Sequence, residues 1–261
     1  MVERATPGEA EWAELSAPHL ARYLFAVDYA RGRTVLDAGT GSGYGAALLR
    51  ACGATAVDAI DSDAPTIEWA RQHFGDAGVE FCVDDCERLD HVTGPFDLIC
   101  CFENLEHLRH PERFLAAAAQ RLAPHGVLLV SSPDRAVTPP FVDGRPKNPF
   151  HMHEWYRDEF RTLLAAHFSE IELRLQVQTI ALESRIAAVA ALRQRLQWGN
   201  PLLTFLWRQV PFLFSRRGHP WKQLAGLAAP TMADYPILPA ATAAVFGTPW
   251  FHVAICRQPQ C

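Results

Sequence analysis

The sequence predicts an α/β fold in which a seven-stranded, mostly parallel sheet is covered by helices on both faces and carries a C-terminal helical insertion. Three observations predict it. Apolar runs alternate with segments of helical spacing from Thr34 to Ser131, as strand–helix–strand crossovers require. Those runs are apolar almost throughout, the pattern of strands buried on both sides. Apolar residues make up 49% of the chain and charged residues 20%, so a core can form without a disulfide or metal staple.

Leu15, Leu20, Leu24, Phe25 and Val27 recur near helical spacing, and Pro18 interrupts them, which predicts a helix over residues 18–30. Residues 34–37 form the first strand and run into Gly39-Thr40-Gly41-Ser42-Gly43, followed by a helix over 46–50. The second strand spans 54–60 and ends at Asp61; Pro65 then suits the first turn of a helix reaching His73. A third strand over 80–83 ends at Asp84 and Asp85, and a fourth covers 96–102. Pro111 opens a helix to about Leu122, and a fifth strand covers 126–131. Pro139, Pro140, Pro146 and Pro149 mark a long loop, followed by a helix over 156–167. Residues 170–179 alternate polar and apolar, as a half-exposed antiparallel strand does, and residues 250–256 supply the last strand. The whole chain, 1–261, reads as one domain.

Residues 180–248 are too long for a hairpin loop and read as a helical insertion acting as a lid or dimer surface. Ser184–Trp198 has helical spacing, and Pro230, Pro236 and Pro239 close the segment. Trp198, Phe205, Trp207, Arg208, Phe212, Phe214, Arg216, Arg217 and Trp221 form an aromatic and basic run within it. Core and homodimer interface is the first reading of that run. A substrate lid comes next and an interfacial membrane helix last, because Pro201 and Pro211 interrupt it. Arg208, Arg216, Arg217 and His219 would suit an anionic acceptor, although a solvated face is the default.

A net charge of −5 gives no global sign of nucleic acid: DNA is not expected, and RNA is left open to a local patch. The seven cysteines form no C-x-x-C pair and several sit in apolar strands, which predicts reduced thiols and a cytoplasmic chain. The charged opening lacks a secretory apolar region, and no apolar stretch is long enough for a transmembrane helix.

Asp37-x-Gly39-x-Gly41-x-Gly43 follows a strand and opens a helix, where glycines let the backbone approach a ligand and the helix offers free N–H groups. Asp61 ends the next strand about 20 residues on, where a carboxylate receives a ribose diol. A dinucleotide site, and with it an NAD(P)-dependent oxidoreductase, is the competing reading. Against it, the glycines alternate, and an acid at Asp37 suits a cationic ligand rather than a pyrophosphate.

These residues resemble the motifs of class I S-adenosylmethionine-dependent methyltransferases. Val35-Leu-Asp37-Ala-Gly39-Thr-Gly41-Ser-Gly43 is similar to the family's first motif. Asp61 matches the acid that holds the ribose hydroxyls, and Asp85 the acid that holds the adenine amino group. Residues 96–107 match the fourth-strand motif. Residues 121–131 match the following turn and strand, with His125 in place of a glycine. The resemblance covers about residues 18–175 and the last strand. It implies a Rossmann-like sheet and an S-adenosylmethionine site built from Asp37, Gly39, Thr40, Gly41, Asp61, Ser62, Asp85, Cys86 and Phe102. Asp84 and Asp85 are adjacent, so one of them points into the pocket and the other is expected in solvent.

Glu103-Asn-Leu-Glu106-His107 follows the fourth strand, and His151 and His153 follow the proline-rich loop. Two carboxylates and two imidazoles form a mixed donor set for Mg²⁺, Mn²⁺ or Zn²⁺; the plain alternative is a local ion pair beside loop histidines. Small-RNA 2′-O-methyltransferases carry a similar Glu-x-x-Glu-His with a distant histidine and bind a metal there, and ubiquinone-pathway O-methyltransferases carry a related motif. That resemblance implies Glu103, Glu106, His107 and His151 as ligands and as the groups activating an acceptor, with His153 an equal candidate for the fourth place. Without a metal, His107 alone would be the general base. Glu3-Arg4-x-x-Pro7, His19-x-x-Arg22-Tyr23 and residues 148–160 resemble methyltransferases of sugar and natural-product pathways. The implied reaction is O-methylation of a small-molecule hydroxyl. A protein that binds the cofactor without transfer, or a cyclase on the same fold, are the alternatives.

Overall fold

The computed structural model describes residues 6–7, 12–139, 141, 144–184, 187 and 230–260. Helix α1 (Trp12–Ala30) leads into β1 (Thr34–Ala38), α2 (Tyr44–Ala51), β2 (Ala56–Asp61), α3 (Ala64–Phe74) and β3 (Glu80–Val83). Then come β4 (Phe96–Phe102), a 3-10 turn (Leu105–His107), α4 (Pro111–Arg121), β5 (Leu122–Pro133), α5 (Arg157–Ala165) and β6 (Phe168–Thr179). Past the insertion lie β7 (Ile237–Pro239), α6 (Ala240–Phe246) and β8 (Gly247–Pro259).

The sheet has the order β3-β2-β1-β4-β5-β8-β6-β7. The first five strands pair in parallel. β8 is antiparallel to both β5 and β6, and β7 is antiparallel to β6. The expected seven-stranded, mostly parallel sheet is therefore corrected to a mixed sheet of eight strands. The added strand lies inside the segment expected to be helical, where Pro236 and Pro239 suggest a loop. A proline cannot serve a central ladder but is tolerated at a sheet edge. β7 is such an edge, pairing only through Arg174–Gln176, with the Pro236 carbonyl accepting from the Val177 N–H at 3.0 Å. The first helix also starts earlier than the sequence suggests and runs through Pro18. Ser16 and Ala17 are buried on its far side, and that packing outweighs the hydrogen bond the proline cannot make.

Alternate residues of each central strand pack on opposite faces. Leu36, Ile99, Leu128 and Val130 meet Phe114 and Leu115 of α4 and Phe160 and Leu164 of α5. Val35, Leu98, Cys100 and Leu129 meet Val27 of α1, Leu49 of α2 and Ile67 of α3. Full burial of each such large side chain contributes about 1.5–3 kcal/mol. Among the described residues all six cysteines are free, and burial raises the thiol pKa of Cys86 to about 12. No described helix is long and apolar enough to cross a membrane. Most of the helix expected over Ser184–Trp198, the aromatic and basic run from Trp198 to Trp221, and Glu3 and Arg4 lie outside the described residues.

Asp37, on β1, is buried beneath the turn that follows it. The Tyr23 hydroxyl lies 3.1 Å from both carboxylate oxygens, and the Thr40 hydroxyl donates to one of them at 2.7 Å. Burial raises the Asp37 pKa from 3.8 to about 6, with the two hydroxyls opposing the shift. Because the folded protein holds this proton more tightly, the penalty is absent below about pH 4 and complete above about pH 6, where it reaches about 3 kcal/mol. Urea unfolding of the ligand-free protein should therefore show Asp37→Asn gaining about 3 kcal/mol relative to the parent between pH 4 and pH 7. A stability difference that stays constant over that range contradicts the buried charge.

Candidate active site

The strand order reverses between β1 and β4, and α/β sheets open a crevice at the carboxyl ends of the strands where that happens. A cavity of about 600 Å³ lies there. Its floor is the turn Gly39–Ser42 after β1, and Asp61 and Ser62 after β2 form one wall. Asp85 and Cys86 after β3, Phe102 and Glu103 at the end of β4, and His107 of the 3-10 turn also line it.

The turn is fixed by backbone bonds. Gly39 and Thr40 N–H groups both donate to the Ile60 carbonyl at 2.9 Å. Asp61 accepts the Gly41 N–H at 3.1 Å and the Asp63 N–H at 2.9 Å. Gly39 has φ +78°, and a Cβ there would run into the Asn104 side chain; Gly43, at φ +81°, would meet the Phe81 ring. Both positions need glycine for conformation and for space.

The adjacent acids divide differently from the expectation. Asp85 is exposed and lines the cavity. Asp84 is buried rather than solvated, because its carboxylate accepts the N–H groups of Asp85, Asp90 and His91 at 2.8, 3.2 and 2.9 Å and so holds the loop after β3. Asp37 stands beneath the turn and does not line the cavity.

Glu106, His107 and His151 bring one ligand atom each to within 4.8 Å of one another. Glu106 is fully buried, and among the described residues neither carboxylate oxygen has a hydrogen-bond partner of good geometry. Burial, with the charge of Glu103 adding to it, pushes its pKa well above the carboxylate range. The Glu106 carbonyl accepts the N–H groups of Met152 at 2.7 Å and His153 at 3.2 Å, which clamps the distant histidine loop onto the 3-10 turn. His107 Nδ1 faces the Phe150 carbonyl at 2.9 Å, so it carries the proton and leaves Nε2 with the lone pair. His151 is held likewise: Nδ1 lies 2.9 Å from Glu154 Oε1, and Nε2 lies 2.9 Å from the Asn148 amide nitrogen. Asn148 Oδ1 accepts the Phe150 N–H at 3.1 Å, which orients that amide.

His151 thus joins the cluster and His153 does not. The His153 ring stacks on Trp155 with its Nε2 towards the Arg109 carbonyl. Glu103 lines the cavity but is not in the three-residue cluster; its Oε1 accepts the Ser131 hydroxyl at 2.8 Å. The buried Glu106 carboxylate, without a hydrogen-bond partner among the described residues, stands beside two imidazoles, a donor set that fits a divalent cation once Asn148 gives up His151 Nε2.

Four lining residues lie in segments the sequence analysis singles out but receive no role in the cavity there. His19 and Tyr23 come from α1, and their spacing of four places both on one helix face. Burial and the charge of Arg22 lower the His19 pKa to about 3, so its imidazole is neutral. Asn104 and Phe150 also line the cavity; they lie in the Glu103–His107 motif and the 148–160 segment, where nothing in the spacing assigns either a role.

A family model described as "Methyltransferase domain" matches residues 10–184. A "Probable S-adenosylmethionine-dependent methyltransferase" of Mycobacterium tuberculosis (strain ATCC 25618 / H37Rv) is 37% identical over 132 residues, 51% of this chain and 47% of that protein. The Ubiquinone biosynthesis O-methyltransferase of Thiobacillus denitrificans is 33% identical over 107 residues, 40% of this chain and 46% of the relative. The chain thus spans about half the length of these curated relatives. A solved S-adenosylmethionine dependent methyltransferase from Mesorhizobium loti superimposes with a TM-score of 0.55 at 17% identity, covering 96% of this chain and 99% of that one, a likeness of fold. With the glycine turn, the switch-point cavity and a family match over most of its described residues, the chain belongs to the class I S-adenosylmethionine-dependent methyltransferases.

Proposed function

We propose that this chain transfers a methyl group from S-adenosylmethionine to a hydroxyl of a small molecule. The observation that carries the reading is that one cavity is lined by the glycine turn, Asp61 and His107 together. In this arrangement Asp61 receives the ribose hydroxyls, Asp85 meets the adenine edge, and Gly39, Thr40 and Gly41 bring backbone against the amino-acid portion. Asp37 acts from beneath by holding Thr40 and Tyr23. The likeness to a ubiquinone-pathway O-methyltransferase supports a hydroxyl as the acceptor.

Methyl transfer from a sulfonium is an in-line displacement, so the main task of the chain is to hold the acceptor oxygen at attack distance and exclude water. A neutral hydroxyl also has to lose its proton. Glu106, His107 and His151 would hold a divalent cation at this end of the cavity. Two imidazole donors suit Zn²⁺ or Mn²⁺ better than Mg²⁺. Such an ion, when bound, lowers the pKa of a coordinated hydroxyl. In the second reading the His107 Nε2 lone pair takes the proton directly, an assignment supported by the Phe150 carbonyl holding Nδ1.

Two experiments test these assignments. Asp61→Ala should weaken S-adenosylhomocysteine binding at least about 100-fold in calorimetry while circular dichroism stays native, since two charge-assisted hydrogen bonds are lost. Unchanged affinity sinks the ribose assignment. In zinc titrations against a chromophoric chelator, the parent should bind one equivalent. Glu106→Gln and His151→Ala should each bind at least about 10-fold more weakly, and His153→Ala should match the parent. If the parent takes up no zinc, manganese or magnesium, or if His153→Ala is the damaging change, the cation reading fails.

A further inference from the structure

Glu154 is a buried carboxylate outside the three-residue cluster, 6% exposed, with both oxygens engaged. Oε1 lies 2.9 Å from His151 Nδ1, and Oε2 accepts the Thr138 hydroxyl at 2.6 Å. Thr138 belongs to the turn after β5, where its N–H donates to the Asp134 carbonyl at 3.2 Å. Asp134 in turn forms a bridge with Trp155. The loop that carries Glu154 is therefore already stapled to the end of β5 by Asp134 and to the 3-10 turn by the Glu106 carbonyl. A further staple does not require a charge, and burying a carboxylate against an imidazole and a hydroxyl is costly unless the charge acts on something.

The edge of the ring that Glu154 leaves open is informative. With Nδ1 committed to the carboxylate, Nε2 accepts from the Asn148 amide on the opposite side of His151. The His107 ring stands 5.0 Å from that of His151, centroid to centroid, and packs edge-on against it. A carboxylate on one imidazole nitrogen fixes the tautomer, locks the ring plane and raises the basicity of the other nitrogen. A neutral amide donor at Nε2 is readily exchanged for a stronger electrophile, while the Glu154 bond stays in place.

We propose that Glu154 is the positioning residue of this site: with Asn148 at Nε2 it holds His151 as the Nδ1–H tautomer, and it keeps the ring in place when Nε2 exchanges the amide for a cation shared with Glu106 and His107. Its consequence for cation binding rests on the reading given under Proposed function; its effect on the tautomer does not. Asn148 completes the arrangement by occupying Nε2 in the ligand-free protein.

Long-range ¹H–¹⁵N correlation of the histidine-labelled, metal-free full chain tests this. His151 should appear as the Nδ1–H tautomer in the parent, keep it in Asn148→Ala, where Glu154 alone holds it, and shift towards Nε2–H in Glu154→Ala/Asn148→Ala. In chelator competition, zinc affinity should fall about 10- to 100-fold in Glu154→Ala. Thr138→Ala, which removes the neighbouring staple, should leave tautomer and zinc affinity within about twofold of the parent. Should Glu154→Ala fail to fold, Glu154→Gln keeps the shape and should retain the Nδ1–H tautomer while losing zinc affinity. Loss of the Nδ1–H tautomer in Asn148→Ala, its survival in Glu154→Ala/Asn148→Ala, full zinc affinity in Glu154→Gln, or an equal loss in Thr138→Ala overturns the proposal. A tautomer shift in a chain whose parent binds no zinc supports the positioning role and refutes the cation reading separately.

Discussion

The turn between β1 and α2 is held from below by Asp37, which takes the Tyr23 and Thr40 hydroxyls, and from the side by Asp61, which takes the Gly41 N–H. These contacts connect α1, β1 and β2 at the point where the strand order reverses. Everything at the cofactor end depends on them. The turn can stay open towards the cavity only because its backbone N–H groups and its supporting carboxylate are satisfied from behind. Asp37 is expensive in this place, as its raised pKa shows, and its carboxylate is what holds the Tyr23 and Thr40 hydroxyls.

The other end of the cavity is built on a second long-range contact of similar kind. The Glu106 carbonyl receives two N–H groups from the histidine loop, so one short turn positions side chains more than forty residues apart in sequence. Among the described residues, the Glu106 carboxylate is left without a hydrogen bond of good geometry. A buried acid in that state is destabilising on its own. Its neighbours, the imidazoles of His107 and His151, are what give the arrangement a chemical use.

The parallel half of the fold was legible because its signals are local. Apolar runs of strand length, Pro65 and Pro111 at helix starts, and acids or glycines at strand ends each follow from nearby residues. The eighth strand was not legible, since a three-residue edge beside prolines has no periodicity and exists only because β6 offers it partners. At the site, the glycine turn and Asp61 could be placed from spacing, and Asp85 from the family resemblance. The choice between His151 and His153 could not, because both share one short loop and differ only in what that loop packs against: Glu154 and Asn148 for one, Trp155 for the other. The burial of Asp84 was hidden for the same reason, as its partners are backbone N–H groups of a loop whose course the sequence does not specify.

The central claim is that one cavity holds a nucleoside at Asp61 and presents its reactive end to the Glu106, His107 and His151 cluster. The most direct measurement is a crystal structure of the full chain with S-adenosylhomocysteine. The account predicts ribose hydroxyls within hydrogen-bond distance of Asp61, adenine beside Asp85, and the sulfur facing the side of the cavity that His107 lines. A ligand seated elsewhere, or one whose ribose lies away from Asp61, would contradict it.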